Sequence, residues 1–367
     1  MRNNAVRRPD YILASTIGVL LLFGIVILAS VSTAISQQKF GSPSFYLFRY
    51  FLFGLLPGLI AGFIAFKMPL HFFKKRAPLF LAVSILLMIL VFFPRIGIQA
   101  GGANRWLNIG FTSFQPSEFL KLSFILYLAA WLPNLTDKIR KRSKTFIAFL
   151  SLIGTIGLLL ILQPDISTLG MIIASGILIY FLSGVPLKYI FSVIIGGLAA
   201  LAVLVKIEPY RFSRISVFLK PGIDPMGLSY QIKQALITIG SGGIWGRGLG
   251  LSMQKFGFLP EPIGDSVFAI FSEETGFIGA LILISLFLIF IWRGFKIVRK
   301  TEDRFCRLAA AGIVFWIAMQ AFVNMGSMLA ILPLSGIPLP FVSYGGSAMI
   351  AELIGIGILL NISKHHA

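Results

Sequence analysis

Ten long apolar runs divide this chain, each about as long as a helix that crosses a membrane. Of the 367 residues, 57% are hydrophobic and 12% are charged, so lipid must cover much of the apolar surface. The runs begin near Tyr11, Phe45, Pro78, Phe119, Phe146, Ile166, Tyr189, Val267, Phe305 and Phe341. They predict an all-α polytopic membrane protein with ten transmembrane helices, in which residues 1–367 form a single integral membrane domain.

The basic residues of the loops predict how these helices are oriented. With ten spans, the residues before the first run and segments 74–76, 138–144 and 293–307, all basic, fall on one side. By the positive-inside rule that side is the cytoplasm, so both termini are expected to be cytoplasmic. The formal charge of +19 is then explained by loops that face anionic membrane lipid, and no nucleic-acid partner is expected.

The same count leaves residues 207–265 as a large extracytoplasmic loop between the seventh and eighth helices. This loop carries basic residues such as Arg211 and Lys233, and an earlier outer loop carries Arg105. Two explanations stay open for these cations. Long loops cross the membrane regardless of their charge, or the cations bind an anionic ligand such as a phosphate group.

The chain has only 13 acidic residues, so those in or beside the spans can be considered one by one. Glu118 and Lys121 share a helix face at the start of the fourth span, where they form an ion pair, line a cavity, or do both. Asp165 follows Gln163 and Pro164 in the turn between the fifth and sixth spans. It is expected either to cap the sixth helix or to reach a basic partner.

Asp265 ends the outer loop directly before the eighth span. A carboxylate at this boundary either interacts with the helix N-terminus or, beside basic loop residues, acts as a general base. Glu273 and Glu274 follow inside the apolar run. Adjacent glutamates at that depth are costly unless they face a polar cavity, a buried cation or another loop.

Four outer segments have sequences that are amphipathic or irregular. Segments 212–219 and 230–239 are apolar enough to lie as short amphipathic helices against the outer leaflet. Glycine-rich segment 240–250 predicts a tight re-entrant path or close backbone packing. Segment 333–347 contains three prolines and should be irregular; its Ser343 hydroxyl either makes a local backbone bond or bonds a ligand.

Several of these motifs together resemble the SEDS family of cell-envelope proteins, with its FtsW, RodA and SpoVE branches. The motifs are Gly102-Ala103-Asn104-Arg105-Trp106-Leu107, Gln115-Pro116-Ser117-Glu118 with Lys121, Gln163-Pro164-Asp165, Ser229-Tyr230-Gln231, the glycine-rich segment, Leu259-Pro260-Glu261 to Asp265 with Glu273-Glu274, and Leu339 to Ser347. They occur in family order over roughly residues 10–363 and look closest to the FtsW branch. Many FtsW-like members have Ala-His-Thr before the aspartate, where this chain has Pro262-Ile263-Gly264, so no histidine role carries over.

The resemblance implies a peptidoglycan glycosyltransferase that polymerises lipid II on the outer face of the bacterial cytoplasmic membrane. Its partners would be lipid II, the growing glycan strand and a class B penicillin-binding protein that cross-links the strands. The family's essential aspartate falls on Asp265, which is therefore expected to be the catalytic base. Its characteristic charged residues fall on Arg105, Glu118, Lys121 and Asp165.

This chemistry needs cations for the leaving pyrophosphate and a base for the attacking hydroxyl. Arg105, Lys121, Arg211 and Lys233 are the candidates for the pyrophosphate, and Ser343 is a further candidate for substrate binding. A divalent cation, Mg²⁺ or Mn²⁺, would assist, with Glu118 and Asp165 orienting the cations or holding the metal.

Three other functions are compatible with parts of this pattern. A lipid II flippase would need a polar path to the cytoplasmic face, whereas the polar residues concentrate on the outer side. A small-anion transporter would place charges near the midplane at a repeat interface, and no internal repeat is evident by inspection. A scaffold that recruits a transpeptidase would not require Asp265, and this role is compatible with catalysis.

Overall fold

The computed structural model describes residues 8–100, 103–110, 112–135, 143–207, 213–214, 216–218 and 227–364. Over these residues the chain is mostly helical. The helices are α1 (Tyr11–Phe40), α2 (Phe45–Lys67), α3 (Leu70–Leu90), α4 (Pro116–Trp131), α5 (Ser143–Leu162), α6 (Ile166–Leu182), α7 (Leu187–Ile207), α8 (Leu228–Ser241), α9 (Val267–Lys300), α10 (Arg304–Met328) and α11 (Gly346–Ser363). A π-helical turn, Phe51–Leu55, lies inside α2, and a 3-10 turn, Leu132–Asn134, follows α4.

The predicted apolar runs coincide with α1 to α7 and α9 to α11. Among the described residues, seven helices are long and apolar enough to cross a membrane, namely α1, α2, α5, α7, α9, α10 and α11. Of the other three, α4 and α6 are shorter, with 16 and 17 residues, and α3 begins at Leu70 because the basic segment before Pro78 is also helical. α11 begins at Gly346 rather than at Phe341, since the preceding proline-rich segment is irregular.

A small antiparallel sheet corrects the all-α prediction. Its strands are β1 (Gly97–Ala100), β2 (Ala103–Asn108) and β3 (Ser113–Phe114), in the order β1-β2-β3. Leu107 pairs with Gly97 on one side and with Phe114 on the other. Strands this short leave little hydropathy signal, so the sequence favoured a loop here. The sheet matters because β2 carries Arg105.

α10 lies at the centre of the bundle and packs against α4, α6, α9 and α11. Most residues of α10 and α11 are buried, whereas α7 is largely exposed. Around this centre, α2 packs on α11, α3 on α4, and both α1 and α8 on α9. Polar side chains on the inward faces of α10 and α11 therefore meet other protein groups rather than lipid.

The contact between α2 and α11 depends on three glycines spaced four residues apart. A Cβ on Gly58 would lie 3.3 Å from the Cα of Ile350, and one on Gly62 would lie 2.6 Å from the Leu353 carbonyl oxygen. Gly54 faces Gly346 in the same way. In a membrane, helices gain little from burying apolar surface against each other, so this close backbone approach supplies the packing energy.

The long helix α9 is broken at Gly276, whose φ of 70° and ψ of −167° are not helical. The break separates the carbonyls of Glu273 and Glu274 from their usual partners, the N–H groups of Phe277 and Ile278. Segment 243–248 of the glycine-rich stretch, called the strap here, restores all four bonds. Its N–H groups at Arg247 and Gly248 donate to the two carbonyls at 2.9 and 3.0 Å, and its carbonyls at Gly243 and Ile244 accept from the two N–H groups at 2.9 and 3.2 Å. The prediction of close backbone packing in this glycine-rich segment is confirmed.

We expect Gly62→Leu to lower the free energy of unfolding of the detergent-solubilised protein by about 1–3 kcal/mol, because the leucine side chain would push α2 away from α11. This loss should appear as a lower melting temperature. The matched control is Gly154→Leu, at an exposed helical glycine whose Cβ would meet nothing within 4 Å. Thermal unfolding of the three proteins measures the difference. Equal melting temperatures for Gly62→Leu and Gly154→Leu would contradict this account of the packing.

Candidate functional site

Asp265 lies where the loop before α9 meets the irregular segment between α10 and α11. A Cβ on Gly336 would lie 3.5 Å from Asp265 Oδ2, so the carboxyl group packs directly against that segment. The N-cap of α9 is the next residue, Ser266. Asp265 itself is partly buried and does not serve as the helix cap.

Hydrogen bonds from α10 and from the segment that follows it hold the peptide that carries Asp265. Asn324 Nδ2 on α10 donates to the carbonyl of Asp265 at 2.9 Å and to that of Ile337 at 2.8 Å. Ser343 Oγ donates to the Gly264 carbonyl at 2.7 Å, and Tyr344 N–H donates to the Ile263 carbonyl at 2.9 Å. The Ser343 hydroxyl therefore makes a backbone bond that positions the residue before Asp265.

Arg105 approaches the site from the sheet. Its Nε donates to the Gln163 carbonyl at 3.0 Å, and its Nη2 donates to the Pro164 carbonyl. These bonds tie β2 to the turn between α5 and α6. In the same turn the buried Asp165 accepts a hydrogen bond from Thr168 N–H at 3.2 Å and so caps α6.

Burial and neighbouring charges set the proton affinity of Asp265. Burial raises the pKa of its carboxyl group to about 6, and the negative charge of Glu261 raises this pKa as well. The positive charges of Arg214 and Arg105 act in the opposite direction. A carboxylate with this pKa is largely ionised at neutral pH but accepts a proton more readily than an ordinary aspartate.

Glu118 and Lys121 belong to a buried polar network below this site. Their side chains form an ion pair at 2.9 Å, and Lys121 Nζ also donates to Gln320 Oε1 at 2.9 Å. Gln320 Nε2 in turn donates to Glu352 Oε1 at 3.0 Å, while the other oxygen of Glu352 accepts from Phe341 N–H at 3.0 Å. The predicted ion pair is thus present within α4, and the hydrogen bonds of Gln320 link it to α10 and α11.

Gln320 and Asn324 connect this network with Asp265, and sequence reasoning missed both. They lie four residues apart on one face of α10. Gln320 Nε2 also donates to the Pro338 carbonyl at 3.2 Å, next to the Ile337 carbonyl that Asn324 binds. Two amide side chains at this spacing inside an apolar run are the signal that could have revealed them.

Glu273 and Glu274, at the break in α9, each lie beside a cationic side chain. Glu274 forms an ion pair with the buried Lys255 at 3.1 Å and accepts a hydrogen bond from Ser30 Oγ of α1. Glu273 contacts Arg247 of the strap at 3.5 Å and accepts a hydrogen bond from Ser252. The two glutamates therefore face cations and another loop, as predicted for charged side chains within an apolar helix.

The remaining predicted residues lie apart from this arrangement or outside it. Lys233 is exposed on α8, in the segment predicted to be an amphipathic helix. Arg211 and most of segment 208–226 lie outside the described residues. Among the residues that the structure describes, no group of three or more His, Cys, Asp or Glu side chains is placed to hold a metal ion.

An apolar groove of about 570 Å³ lies between α2, α3, α4 and α11. Its lining is almost entirely apolar and includes Phe80, Phe119 and Ile358, with Phe114 of β3 also in the wall. Ile64 in the same wall is exposed, so the groove is open at the surface of the bundle. The small sheet thus contributes Phe114 to the groove and Arg105 to the surroundings of Asp265.

Comparison with known proteins places these features in a family. Residues 11–367 match the FtsW/RodA/SpoVE family model, described as "Cell cycle protein". The chain is 39% identical over 360 residues to the probable peptidoglycan glycosyltransferase FtsW of Nitrosomonas europaea, covering 96% of this chain and 92% of that protein. It is 35% identical to the stage V sporulation protein E of Bacillus subtilis, covering 97% of each.

A solved structure agrees with these relatives. A chain from a peptidoglycan synthase complex that coordinates polymerization and crosslinking superposes with a TM-score of 0.78 at 26% identity, over 98% of both chains. The apolar helices and the family match identify an integral protein of a bacterial membrane. The chain belongs to the FtsW/RodA/SpoVE family.

Proposed function

We propose that this chain is a peptidoglycan glycosyltransferase that polymerises lipid II into glycan strands on the outer face of the cytoplasmic membrane, in cell division or cell-shape maintenance. The observation that carries the proposal is Asp265, a partly buried carboxyl group whose pKa is about 6 and on which the charges of Arg105 and Arg214 act. The names of the FtsW relatives support the same activity.

The reaction needs one proton acceptor. The 4-hydroxyl oxygen of an incoming lipid II forms a bond to the anomeric carbon of the growing strand, and the bond from that carbon to the pyrophosphate oxygen breaks. The electron pair leaves with the lipid pyrophosphate, and the hydroxyl proton passes to the Asp265 carboxylate. A base with a raised pKa accepts this proton more readily at neutral pH than an ordinary aspartate does.

The leaving pyrophosphate requires cations, and Arg105 and Arg214 are the described ones whose charge acts on Asp265. Arg211 and Lys233 are further candidates from the same outer loop. Lys121 is engaged by Glu118 and Gln320, so its contribution runs through the buried network. The polyprenyl tail would lie in the apolar groove, because a long hydrocarbon chain prefers an apolar surface that is open to lipid.

The proposed orientation has ten transmembrane helices, α1 to α7 and α9 to α11, with both termini in the cytoplasm and residues 207–265 outside. The basic segments on the terminal side support it through the positive-inside rule. α3 and α4 complete the count because each is apolar beyond the charged residues near its start, and α6 completes it because its run is apolar throughout. This orientation places Asp265 at the extracytoplasmic face.

We propose a class B penicillin-binding protein as the partner. The similar solved chain comes from a complex that couples polymerization to crosslinking, which supports such a partner. A divalent cation, Mg²⁺ or Mn²⁺, stays a prediction. Glu118 is ion-paired with Lys121, and Asp165 caps α6, so no step is assigned to a metal.

Asp265→Asn should reduce lipid II polymerisation about 10²- to 10⁴-fold, because the amide keeps the shape of the side chain but cannot take the proton. The measurement is glycan strand formation by the purified protein with its class B penicillin-binding protein. Glu302→Gln is the control for loss of one negative charge, because Glu302 is exposed at the end of the bundle that carries both chain termini. Thermal unfolding and partner binding show whether each variant is intact.

The same experiment separates the rival functions. Equal polymerisation by the wild type and a folded Asp265→Asn variant would exclude Asp265 as the base. An intact wild-type complex that forms no strands but moves lipid II across vesicles would instead indicate a flippase. An intact complex that does neither would indicate a scaffold.

The rate of polymerisation should fall as the pH is lowered, with a midpoint near pH 6, because protonated Asp265 cannot accept the hydroxyl proton. Glu261→Gln removes a negative charge that raises the Asp265 pKa, so this variant should move the midpoint to lower pH. A pH profile of the rate constant for each protein measures the shift, with Glu302→Gln as the unshifted control. The same midpoint in Glu261→Gln would show that another group governs the acidic limb.

Asn324→Leu should lower the polymerisation rate about 10- to 100-fold, because Asp265 loses the donor that holds its backbone. Asn361→Leu is a matched control. Asn361 Nδ2 also bridges two carbonyls, those of Ala65 and Met68 at 3.2 and 2.6 Å, but at the far end of the bundle. Each variant should lose roughly 1–3 kcal/mol of stability, since it leaves buried carbonyls unpaired. If both variants lost polymerisation rate in proportion to their loss of melting temperature, Asn324 would have a purely structural role.

A further inference from the structure

A basic cleft of about 370 Å³ lies at the end of the bundle that carries the chain termini. It is formed by the residues that begin α1, the last turns of α9, and the end of α11 at Ser363. Of the residues that the structure describes, four with cationic side chains line it, namely Arg8, Arg293, Lys296 and Lys300. This is the face proposed above as cytoplasmic, at the opposite end of α9 from Asp265.

The described cations of this cleft outnumber its described acids. Arg293, Lys296 and Lys300 follow at intervals of three and four residues and so share one face of α9. Among the described residues, Asp10 is the only carboxylate in the lining. Asp10 binds Arg293 at 2.6 and 3.2 Å and also caps α1 through Leu13 N–H at 2.9 Å. Arg8, Lys296 and Lys300 therefore leave a net positive charge that an anion would stabilise.

Exposed aromatic and apolar side chains place the cleft at the membrane surface. Trp292 is 54% exposed, and its ring lies 5.4 Å from the Arg293 guanidinium and 5.4 Å from Lys296 Nζ. Tyr11 and Ile12, on the other wall, are 63% and 47% exposed. Aromatic rings beside cations at a helix end are typical of the lipid headgroup region, so the cleft opens toward headgroups.

We propose that this cleft binds the phosphate headgroup of an anionic phospholipid, and that a lipid with two phosphates is preferred. Two phosphates could reach Lys296 and Lys300 together with Arg8, while the acyl chains follow the exposed apolar faces of α1 and α9. The apolar rim favours a lipid over a soluble anion, because a soluble anion gains nothing from that surface. The bound lipid would join the ends of α1, α9 and α11, and this proposal does not depend on the catalytic function.

The test is a lipid titration of the full-length protein in a neutral detergent, followed by native mass spectrometry and thermal unfolding. The probes are cardiolipin, phosphatidylglycerol, phosphatidylcholine and inorganic phosphate. Cardiolipin should bind most tightly and raise the melting temperature, and phosphatidylcholine should do neither. Lys296→Gln with Lys300→Gln should weaken cardiolipin binding roughly 10- to 30-fold, because each basic residue near a headgroup contributes about 1 kcal/mol.

The matched control is Arg76→Gln with Arg299→Gln, which removes two exposed cations from the same face outside the cleft. This control should bind cardiolipin almost as well as the wild type. Equal weakening in the two double variants would overturn the proposal in favour of general electrostatic attraction. Displacement of the lipid by an equal concentration of inorganic phosphate would overturn it in favour of a free-anion site. Lys296 is half-buried and the other three substituted residues are exposed, so the lipid-free melting temperatures of both double variants should stay close to that of the wild type.

Discussion

Two amide side chains on the central helix α10 hold the polar interior of this protein together. Gln320 joins the Glu118–Lys121 ion pair to Glu352, and Asn324, one turn away, holds the backbone of Asp265. Lipid supplies no hydrogen-bond partners, so each polar group in the bundle must find its partner within the protein. The position of the proposed catalytic carboxyl group follows from this requirement, because the same face of α10 satisfies the network and the loop.

The backbone obeys the same constraint at the break in α9. The four groups released at Gly276 are paired by the strap, and the ion pairs of Glu273 and Glu274 hold the rest of that loop in place. Ser30 of α1 takes part through its bond to Glu274, so α1 and α9 are linked near the loop face. At the other end the same two helices are linked by Asp10 and Arg293. The helix that follows Asp265 is therefore linked to α1 near both of its ends.

Much of the site was accessible from residue type and position. Its place between a basic loop and an apolar run made Asp265 a candidate base, and the resemblance to the family singled it out. The Glu118–Lys121 pair was predicted from its helical spacing. The β-sheet could not be predicted from the sequence, since its strands are too short to show a clear alternation of polar and apolar residues. The roles of Gln320 and Asn324 were not predicted either. Amides carry no charge, so a search for ionisable residues within the spans does not find them. Only the packing of α10 against the 329–345 segment makes their pairing with distant carbonyls visible.

The amino-acid sequence by itself determined the membrane class and the approximate positions of the apolar helices, and it predicted Asp265 as a candidate base. These are local properties, because run length, hydropathy and residue type are read within one segment of chain. The tertiary structure alone decided which polar groups meet, that Ser343 binds the Gly264 carbonyl, and that the surroundings of Asp265 raise its pKa. These features depend on residues far apart in the chain, and only the packed helices bring those residues within hydrogen-bond distance.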